Sequence, residues 1–213
     1  MSFDFLIFDL DGTLVDSQTD ITSSLNSVRK EYNLDYIPAE LVRSYMSSGI
    51  DTLIDKAVPE ENGINKLDIV KKFRFYYRQH LTDTTVIYNG VKEMLEILKN
   101  KKKVILSNKS EDFSREIVKR LGISKYFVKI WGGDTVGVKK PNPKPIIDLI
   151  KLTKSNTFKT LMIGDSANDF LAARAAGISS IAVLYGYSSI EKIKQYNPSF
   201  TVRTPGDIIN IVL

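Results

Sequence analysis

The chain has 213 residues, of which 43% are apolar and 26% are charged, and this composition is typical of a globular protein with a sizeable core. It contains no cysteine, which excludes disulfides, thiolate metal sites and cysteine nucleophiles. No apolar run approaches the roughly 20 residues that a membrane span needs, and no basic segment followed by an apolar one stands near the first residue. We therefore expect a cytoplasmic protein with no membrane partner.

The net charge is +5, which fits either a nucleic-acid surface or an affinity for small anions. The densest basic run, residues 99–103, falls where a predicted helix ends and a strand begins, so its side chains complement the helix dipole and stay solvated. We interpret it as a solvated surface and expect no nucleic-acid partner. The single histidine, His80, lies in an aromatic segment and is interpreted as a packing residue.

The first predicted element is a buried strand, the apolar run from Phe3 to Phe8. Ser17 is a predicted helix cap. Apolar residues then recur at helical spacing almost as far as Val86, with hardly any strand-like run. We interpret this block as a helical insert that follows the first strand.

Beyond Val86, short apolar runs alternate with helical segments. The predicted strands are 104–106, 129–131, 160–163, 181–183 and 200–202. The predicted helices lie near 91–98, 113–121, 146–152, 170–176 and 190–193, with a last one after Thr204 and Pro205. Strands that alternate with helices in this way predict right-handed βαβ units and a mostly parallel sheet in an α/β fold.

Polar residues follow three of the predicted strands. Asp9 ends the run Leu-Ile-Phe, Ser107 ends Val-Ile-Leu, and Asp165 ends Leu-Met-Ile-Gly. Because sites in such sheets lie outside the carboxyl ends of the strands, these side chains converge on one rim if the strands are neighbours. Lys140, in a loop rich in glycine, proline and lysine, would add an ammonium group. Such a rim suits a divalent metal and a phosphoryl group.

Asp9 and Asp11 are two residues apart, so both carboxylates project to the same side of an extended backbone. Such a pair is typical of a metal site, of an acid/base pair or of a polar turn. Gly12 lets the backbone leave the strand in a conformation that a Cβ would penalise. A carboxylate can attack phosphorus and form an aspartyl phosphate that water hydrolyses, and Asp11 is placed to exchange the protons.

Four segments resemble, in order and approximate spacing, the four motifs of the haloacid dehalogenase superfamily. They are Asp9-Leu-Asp-Gly-Thr-Leu-Val-Asp16, Ser107-Asn108, Lys140-Pro141 and Gly164-Asp-Ser-Ala-Asn-Asp169. The block between the first two motifs is similar to the small helical cap of the phosphoglycolate phosphatase-like branch. The resemblance implies a Rossmann-like three-layer core at residues 1–14 and 87–213, and a helical cap domain at residues 15–86.

The resemblance implies catalytic roles for three residues. Asp9 would be the nucleophile and a metal ligand. Asp11 would be the general acid/base and would bind the metal through its backbone carbonyl. Lys140 would steady the negative charges around Asp9.

The resemblance also implies a Mg²⁺ cofactor held near the last motif. Asp165 would be an acidic metal ligand, and Asp169 would orient the metal shell or its waters. These two residues would complete the metal site begun by the first motif.

Four further residues are implied to bind substrate. Thr13 and Ser107 would hold phosphate oxygens, and Asn108 would line the site. The segment Ser47-Ser48-Gly49-Ile50-Asp51 resembles the glycine-containing cap loop of this branch, which makes Gly49 a predicted substrate contact, although the same segment is also typical of a plain turn.

The predicted function is a Mg²⁺-dependent phosphatase of a small phosphorylated metabolite, most similar to phosphoglycolate phosphatase and acting through an aspartyl phosphate. Pyrophosphatase, nucleotide or sugar-phosphate phosphatase and a β-phosphoglucomutase-like transferase are the enzymatic alternatives. Dehalogenation is disfavoured, because those relatives lack a carboxylate at the position of Asp11. A receiver-like phospho-acceptor module is the non-enzymatic alternative. We expect a monomer, with a dimer through the apolar cap faces as the alternative.

Overall fold

The computed structural model describes residues 2–46, 49–58 and 65–213. Within these ranges the strands are β1 (Phe5–Phe8), β2 (Val15–Asp16), β3 (Val86–Ile87), β4 (Lys102–Leu106), β5 (Lys129–Trp131), β6 (Thr160–Gly164), β7 (Ser179–Val183) and β8 (Phe200–Val202). Six of them form one parallel sheet in the order β5-β4-β1-β6-β7-β8. β1 lies inside the sheet, where Phe8 is level with Ile105 of β4 and Ile163 of β6.

The α-helices lie between these strands in the chain. They are α1 (Gln18–Glu31), α2 (Ala39–Arg43), α3 (Ile50–Ala57), α4 (Lys66–Gln79), α5 (Val91–Ile97), α6 (Glu111–Arg120), α7 (Lys144–Leu152), α8 (Ala167–Ala175), α9 (Ile190–Lys194) and α10 (Pro205–Val212). The first four fall between β2 and β3, and the others follow the pattern of a parallel α/β sheet.

The sheet is covered on both faces, as the side chains of β1 show. Leu6 and Phe8 belong to one buried cluster, which contains residues of α5, α6 and α10. Phe5 and Ile7 belong to a second cluster, which contains residues of α7 and α8. Because successive side chains of a strand point to opposite faces, these two clusters define a three-layer α/β/α core.

The helical insert stands on a short antiparallel ribbon. Val15 of β2 pairs with Ile87 of β3, and Asp16 pairs with Val86. The insert begins and ends at this ribbon, and its helices α1 and α4 pack on each other. The predicted α/β fold with a parallel sheet and a helical insert is therefore confirmed, whereas the two-residue strands of the ribbon were not predicted because they are too short to show a period.

Three local interpretations of the sequence are corrected by the structure. Lys103 is buried rather than solvated, and its ammonium group donates to the carbonyl oxygen of Leu98, at the end of α5. His80 is an exposed partner of Asp83 rather than a packing residue. Ser17 occupies the cap position of α1, but its hydroxyl donates to the carboxylate of Asp11 instead of capping the helix.

In the part of the chain that the structure describes, no helix has the length and hydropathy of a membrane-spanning segment.

The base of the insert is held by one buried carboxylate. Asp20 of α1 is 3% exposed. Its oxygens accept hydrogen bonds from the backbone N–H and the hydroxyl of both Thr84 and Thr85, at donor–acceptor distances of 2.6–3.0 Å for the shortest contact of each group. Thr84 and Thr85 directly precede β3, so this network ties the first insert helix to the returning chain.

We predict that Asp20→Ala lowers the free energy of unfolding by about 3 kcal/mol, because four donors lose a charged acceptor in a buried place. For a chain of this size the melting temperature should fall by roughly 6–12 °C. Thermal unfolding followed by circular dichroism measures the effect, with Asp35→Ala, an exposed aspartate, as the matched control. A loss no larger than that of the control would show that the network does not stabilise the insert.

Candidate active site

Three carboxylates meet at the carboxyl edge of the central strands. Asp9 follows β1, Asp165 follows β6, and Asp169 lies in the first turn of α8. Each offers an oxygen within 4.8 Å of the others, and all three residues are buried. They meet because β1 and β6 are parallel neighbours, so the segments that follow the two strands leave the sheet at the same edge.

One ammonium group is embedded among these carboxylates. Nζ of Lys140 lies 2.9 Å from Oδ1 of Asp9 and 2.6 Å from Oδ1 of Asp169. Its third acceptor is the carbonyl oxygen of Leu106, at 2.6 Å, which belongs to the last residue of β4. All three N–H bonds of this side chain are therefore directed at acceptors, and the side chain is only 2% exposed.

The cluster carries more negative than positive charge when it is ionised. Burial raises the pKa of Asp9 to about 7, although Lys140 opposes this effect. Burial also raises the pKa of Asp165 well above its ordinary value, and the neighbouring carboxylates raise it further. For Lys140 burial lowers the pKa, but the carboxylates of Asp169 and Asp9 outweigh this and raise it. A cation placed beside these carboxylates would offset the excess of negative charge.

Asp11 lies beside this cluster and has its own partners. Its Oδ1 accepts hydrogen bonds from the hydroxyl of Ser17 and, at 2.8 Å, from Nζ of Lys109. The same ammonium group donates to the hydroxyl of Tyr77, 2.7 Å away on α4 of the insert. Ser17 and Lys109 therefore fix the carboxylate of Asp11 near Asp9. This carboxylate lies outside the three-carboxylate group.

The polar residues after β4 line a small cavity beside these carboxylates. Ser107, Asn108 and Lys140 contribute to its wall together with Asp9 and Asp165. The amide nitrogen of Asn108 donates to the carbonyl oxygen of Lys140 at 2.9 Å, so the two loops are joined at the site. This cavity measures about 20 Å³, which is room for about one water molecule.

Two predicted substrate contacts, Thr13 and Gly49, are not among the described residues that line this cavity. Thr13 is buried, and its hydroxyl has no hydrogen-bond partner among the described residues. Gly49 lies against the loop after β4, since a Cβ there would come within 3.0 Å of the carbonyl oxygen of Asn108. Residues 47 and 48 of the predicted cap loop lie outside the described residues.

Two glycines allow the chain to pass close to Asp165. Gly12 has a φ of +79°, and a Cβ on it would lie 2.5 Å from Oδ2 of Asp165. A Cβ on Gly186 would lie 2.3 Å from the Cβ of the same aspartate. The expectation that Gly12 adopts a conformation unfavourable to a Cβ is confirmed, and the contact with Asp165 gives a second reason for glycine there.

A contact from the insert reaches the loop that holds Asp165. The backbone N–H of Tyr187 donates to Oδ2 of Asp165 at 2.7 Å. Arg43 of α2 donates to the carbonyl oxygens of Gly186 and Tyr187, and its guanidinium lies 5.5 Å from the centre of the Tyr187 ring. Arg43 thus binds the core loop in this structure.

Sequence reasoning missed two members of the site. Lys109 ends the run Ser107-Asn108-Lys109 and was not distinguished from the many other lysines, and Tyr77 belongs to a helix that reads as ordinary insert packing. The adjacency of Lys109 to two predicted site residues was the available signal. No comparable signal marks Tyr77, because its partner lies 32 residues away.

Residues 6–183 match the family model of the haloacid dehalogenase-like hydrolases, and the chain belongs to that family. The predicted family and enzyme class are therefore confirmed, and the receiver-like alternative is set aside.

Relatives within the family carry a more specific name. The chain is 37% identical over 188 residues to a phosphoglycolate phosphatase of Chromobacterium violaceum, with 85% of each chain covered. It is 34% identical over 209 residues to a phosphoglycolate phosphatase of Aquifex aeolicus, with 97% of this chain and 95% of that one covered. The crystal structure of a predicted phosphoglycolate phosphatase from Haemophilus somnus superposes with a TM-score of 0.95 at 31% identity, covering 100% of this chain and 99% of the other.

We predict that Asp165→Asn stabilises the protein in EDTA at pH 8. In the folded state the pKa of Asp165 is raised, so the fold favours the protonated carboxyl group. The charged form therefore destabilises the folded state increasingly as the pH rises above 3.8, the pKa of this group in the unfolded chain. Removing the charge should raise the melting temperature by roughly 2–4 °C, which corresponds to about 1 kcal/mol for a chain of this size. The gain in melting temperature should be smaller at pH 5.5, because ionised Asp165 destabilises the folded state less there than at pH 8.

The matched control is Asp35→Asn, which removes an exposed carboxylate and should leave the melting temperature unchanged. A lower melting temperature for Asp165→Asn at pH 8 in EDTA would contradict the electrostatic account of the cluster.

Proposed function

We propose that the chain is a Mg²⁺-dependent phosphatase that hydrolyses a small phosphorylated hydroxy acid, with phosphoglycolate as the preferred substrate. The observation that carries this proposal is the single small cavity that brings together Asp9, Asp11, Ser107, Lys140 and Asp165. These are the groups needed to attack phosphorus, to move a proton, to neutralise charge and to hold a metal. The names of the relatives support the choice of substrate.

The donor set fits Mg²⁺. The cluster has three buried carboxylates and one lysine, which pairs with Asp9 and Asp169, so two negative charges are in excess when all four groups are ionised. Carboxylate and carbonyl oxygens are the donors that Mg²⁺ prefers, and an ion with few protein ligands keeps waters and phosphate oxygens as its other ligands. Asp9 and Asp165 would hold the ion with the backbone carbonyl of Asp11, and Asp169 would orient its surroundings. When bound, Mg²⁺ supplies charge neutralisation to the phosphoryl group.

Asp9 would act as the nucleophile. Its ionised oxygen attacks phosphorus and forms an aspartyl phosphate while the bond from phosphorus to the leaving oxygen breaks. Lys140 holds Asp9 in place and keeps positive charge beside the anionic group. Burial raises the pKa of Asp9 to about 7 in the metal-free protein, and a cation bound beside it would lower this pKa and favour the nucleophilic carboxylate.

Asp11 would move the proton in both half-reactions. It donates to the leaving alkoxide in the first step and takes a proton from the attacking water in the second, which regenerates the carboxylate of Asp9. Ser107 and Thr13 would hold phosphate oxygens, and the buried hydroxyl of Thr13, which has no hydrogen-bond partner among the described residues, supports such a role. Asn108 would position the loop that carries Lys140.

Residues 15–86 would act as a cap domain. The cavity at Asp9 has space for about one water molecule, so a phosphate ester reaches it only if the insert helices move away from the core. The two-stranded ribbon β2–β3 is the connection about which such a movement would occur. The contacts of Gly49 with Asn108 and of Arg43 with the 186–187 loop would break and re-form in each cycle.

The test is phosphate release with and without Mg²⁺ from phosphoglycolate, pyrophosphate, a nucleoside monophosphate, a glucose phosphate and an aryl phosphate. We expect metal-dependent release, with kcat/KM for phosphoglycolate at least about tenfold above the others, or roughly 1.4 kcal/mol of discrimination. Asp9→Asn should lose at least about 1,000-fold of the rate, because the nucleophile is removed, whereas Asp35→Asn should retain full activity.

Equal rates on every ester would leave a phosphatase without the proposed substrate preference. A rate unaffected by Asp9→Asn would contradict the assignment of the nucleophile.

A further inference from the structure

A second cavity adjoins the first on the side of Asp11. The two cavities share Asp11, Met46 and Lys109 in their walls. The second lies between the insert and the core, and apolar insert residues such as Leu53 and Phe73 line most of it. Because Asp11 would protonate the leaving oxygen, the group attached to that oxygen would enter this second cavity.

Lys109 supplies a cation at the junction of the two cavities. Its side chain is 7% exposed, and its ammonium group donates to Asp11 and to the hydroxyl of Tyr77 at 2.8 and 2.7 Å. It also lies 4.8 Å from the centre of the Tyr77 ring. A lysine has an ordinary pKa far above 7, and this one donates to a carboxylate, so it brings a positive charge to the junction at neutral pH.

The two buried lysines of the site differ in how many hydrogen-bond acceptors the described residues offer them. All three N–H bonds of Lys140 are directed at acceptors, namely Asp9, Asp169 and the carbonyl oxygen of Leu106. Lys109 has two such acceptors among the described residues, and an ammonium group has three donors. Lys109 can therefore accept one more anionic partner without giving up those it has.

The walls of the second cavity restrict which leaving groups fit. Beside Asp11 and Lys109, its polar side chains are Ser110 and Tyr77, whereas the remaining wall is largely apolar and holds Phe113 among others. The hydroxyl groups of a sugar would lose water there without equivalent partners, which costs binding free energy. Among the described residues of this wall, Lys109 is the cation that a short group ending in a carboxylate would meet.

We propose that Lys109, held by Tyr77 of the cap, is a specificity-determining residue that binds a carboxylate on the leaving group. The substrate class is then the phosphate esters of short hydroxy acids. Closure of the cap brings Tyr77 to Lys109, so the carboxylate would be recognised only in the closed arrangement. This inference rests on the proposed phosphatase function and assigns the residue that selects the substrate.

The experiment compares phosphoglycolate with ethyl phosphate, which has the same length but a methyl group in place of the carboxylate. We expect the wild-type enzyme with Mg²⁺ to favour phosphoglycolate by at least about 100-fold in kcat/KM, since a charge-assisted contact in a buried place is lost with ethyl phosphate. Lys109→Met should lower kcat/KM for phosphoglycolate at least about 20-fold more than for ethyl phosphate. Lys144→Met, an exposed lysine on α7, is the matched control and should leave the preference unchanged.

Tyr77→Phe is the second variant, and it guards against a folding defect in Lys109→Met. It retains the ring beside Lys109 but removes the hydroxyl that accepts the hydrogen bond. We expect KM for phosphoglycolate to rise about tenfold, with a much smaller change for ethyl phosphate. Thermal unfolding of each variant shows that the comparison is made on folded protein.

Equal losses on both esters in Lys109→Met would overturn the inference, because Lys109 would then act through Asp11 alone. A wild-type enzyme that hydrolyses both esters at the same rate would also overturn it while leaving the phosphatase function intact. Metal-dependent release from neither ester would overturn the proposed function and the inference together.

Discussion

The ion pairs of Lys140 are the interaction on which the site depends. Two buried carboxylates, those of Asp9 and Asp169, share this one ammonium group, and the third, Asp165, lies beside them. Such an arrangement is unfavourable without compensation, because each charge has lost most of its water. Lys140 offsets part of the free-energy cost of burying these charges. The raised pKa values of Asp9 and Asp165 show that part of this cost is not offset. A divalent cation bound there, as proposed above, would offset the same imbalance of charge.

The fold supplies this constraint through the sheet. β1 and β6 are parallel neighbours that end at the same edge, so Asp9 and Asp165, which follow them, come together there. Close approach then requires glycine at Gly12 and Gly186, where a side chain would collide with Asp165. The insert returns to the same edge and adds Tyr77, which reaches the core through Lys109. In the proposed function the core would hold the reacting groups, and the insert would complete the surface that the leaving group meets.

The sequence predicted what depends on short-range pattern and missed what depends on long-range packing. The parallel sheet and the helical insert followed from alternating apolar runs and helical spacing, and the positions of Asp9 and Asp165 followed from the ends of those runs. The contact between Lys109 and Tyr77 did not, because it joins residues of two elements that only the folded chain brings together. Lys103 shows the same limit. It stands in a basic run, yet it is buried, because its ammonium group donates to the carbonyl oxygen of Leu98 at the end of α5.

The most direct test of the account is to trap the covalent intermediate on Asp9. The enzyme would be mixed with radiolabelled phosphoglycolate and Mg²⁺, quenched in acid during turnover, treated with borohydride and digested for peptide mass mapping. Borohydride reduces an aspartyl phosphate to homoserine, so the account predicts this conversion at position 9 and nowhere else in the chain. Steady turnover without any covalent phosphate, or conversion at another aspartate, would contradict the claim that the residue held by Lys140 is the nucleophile.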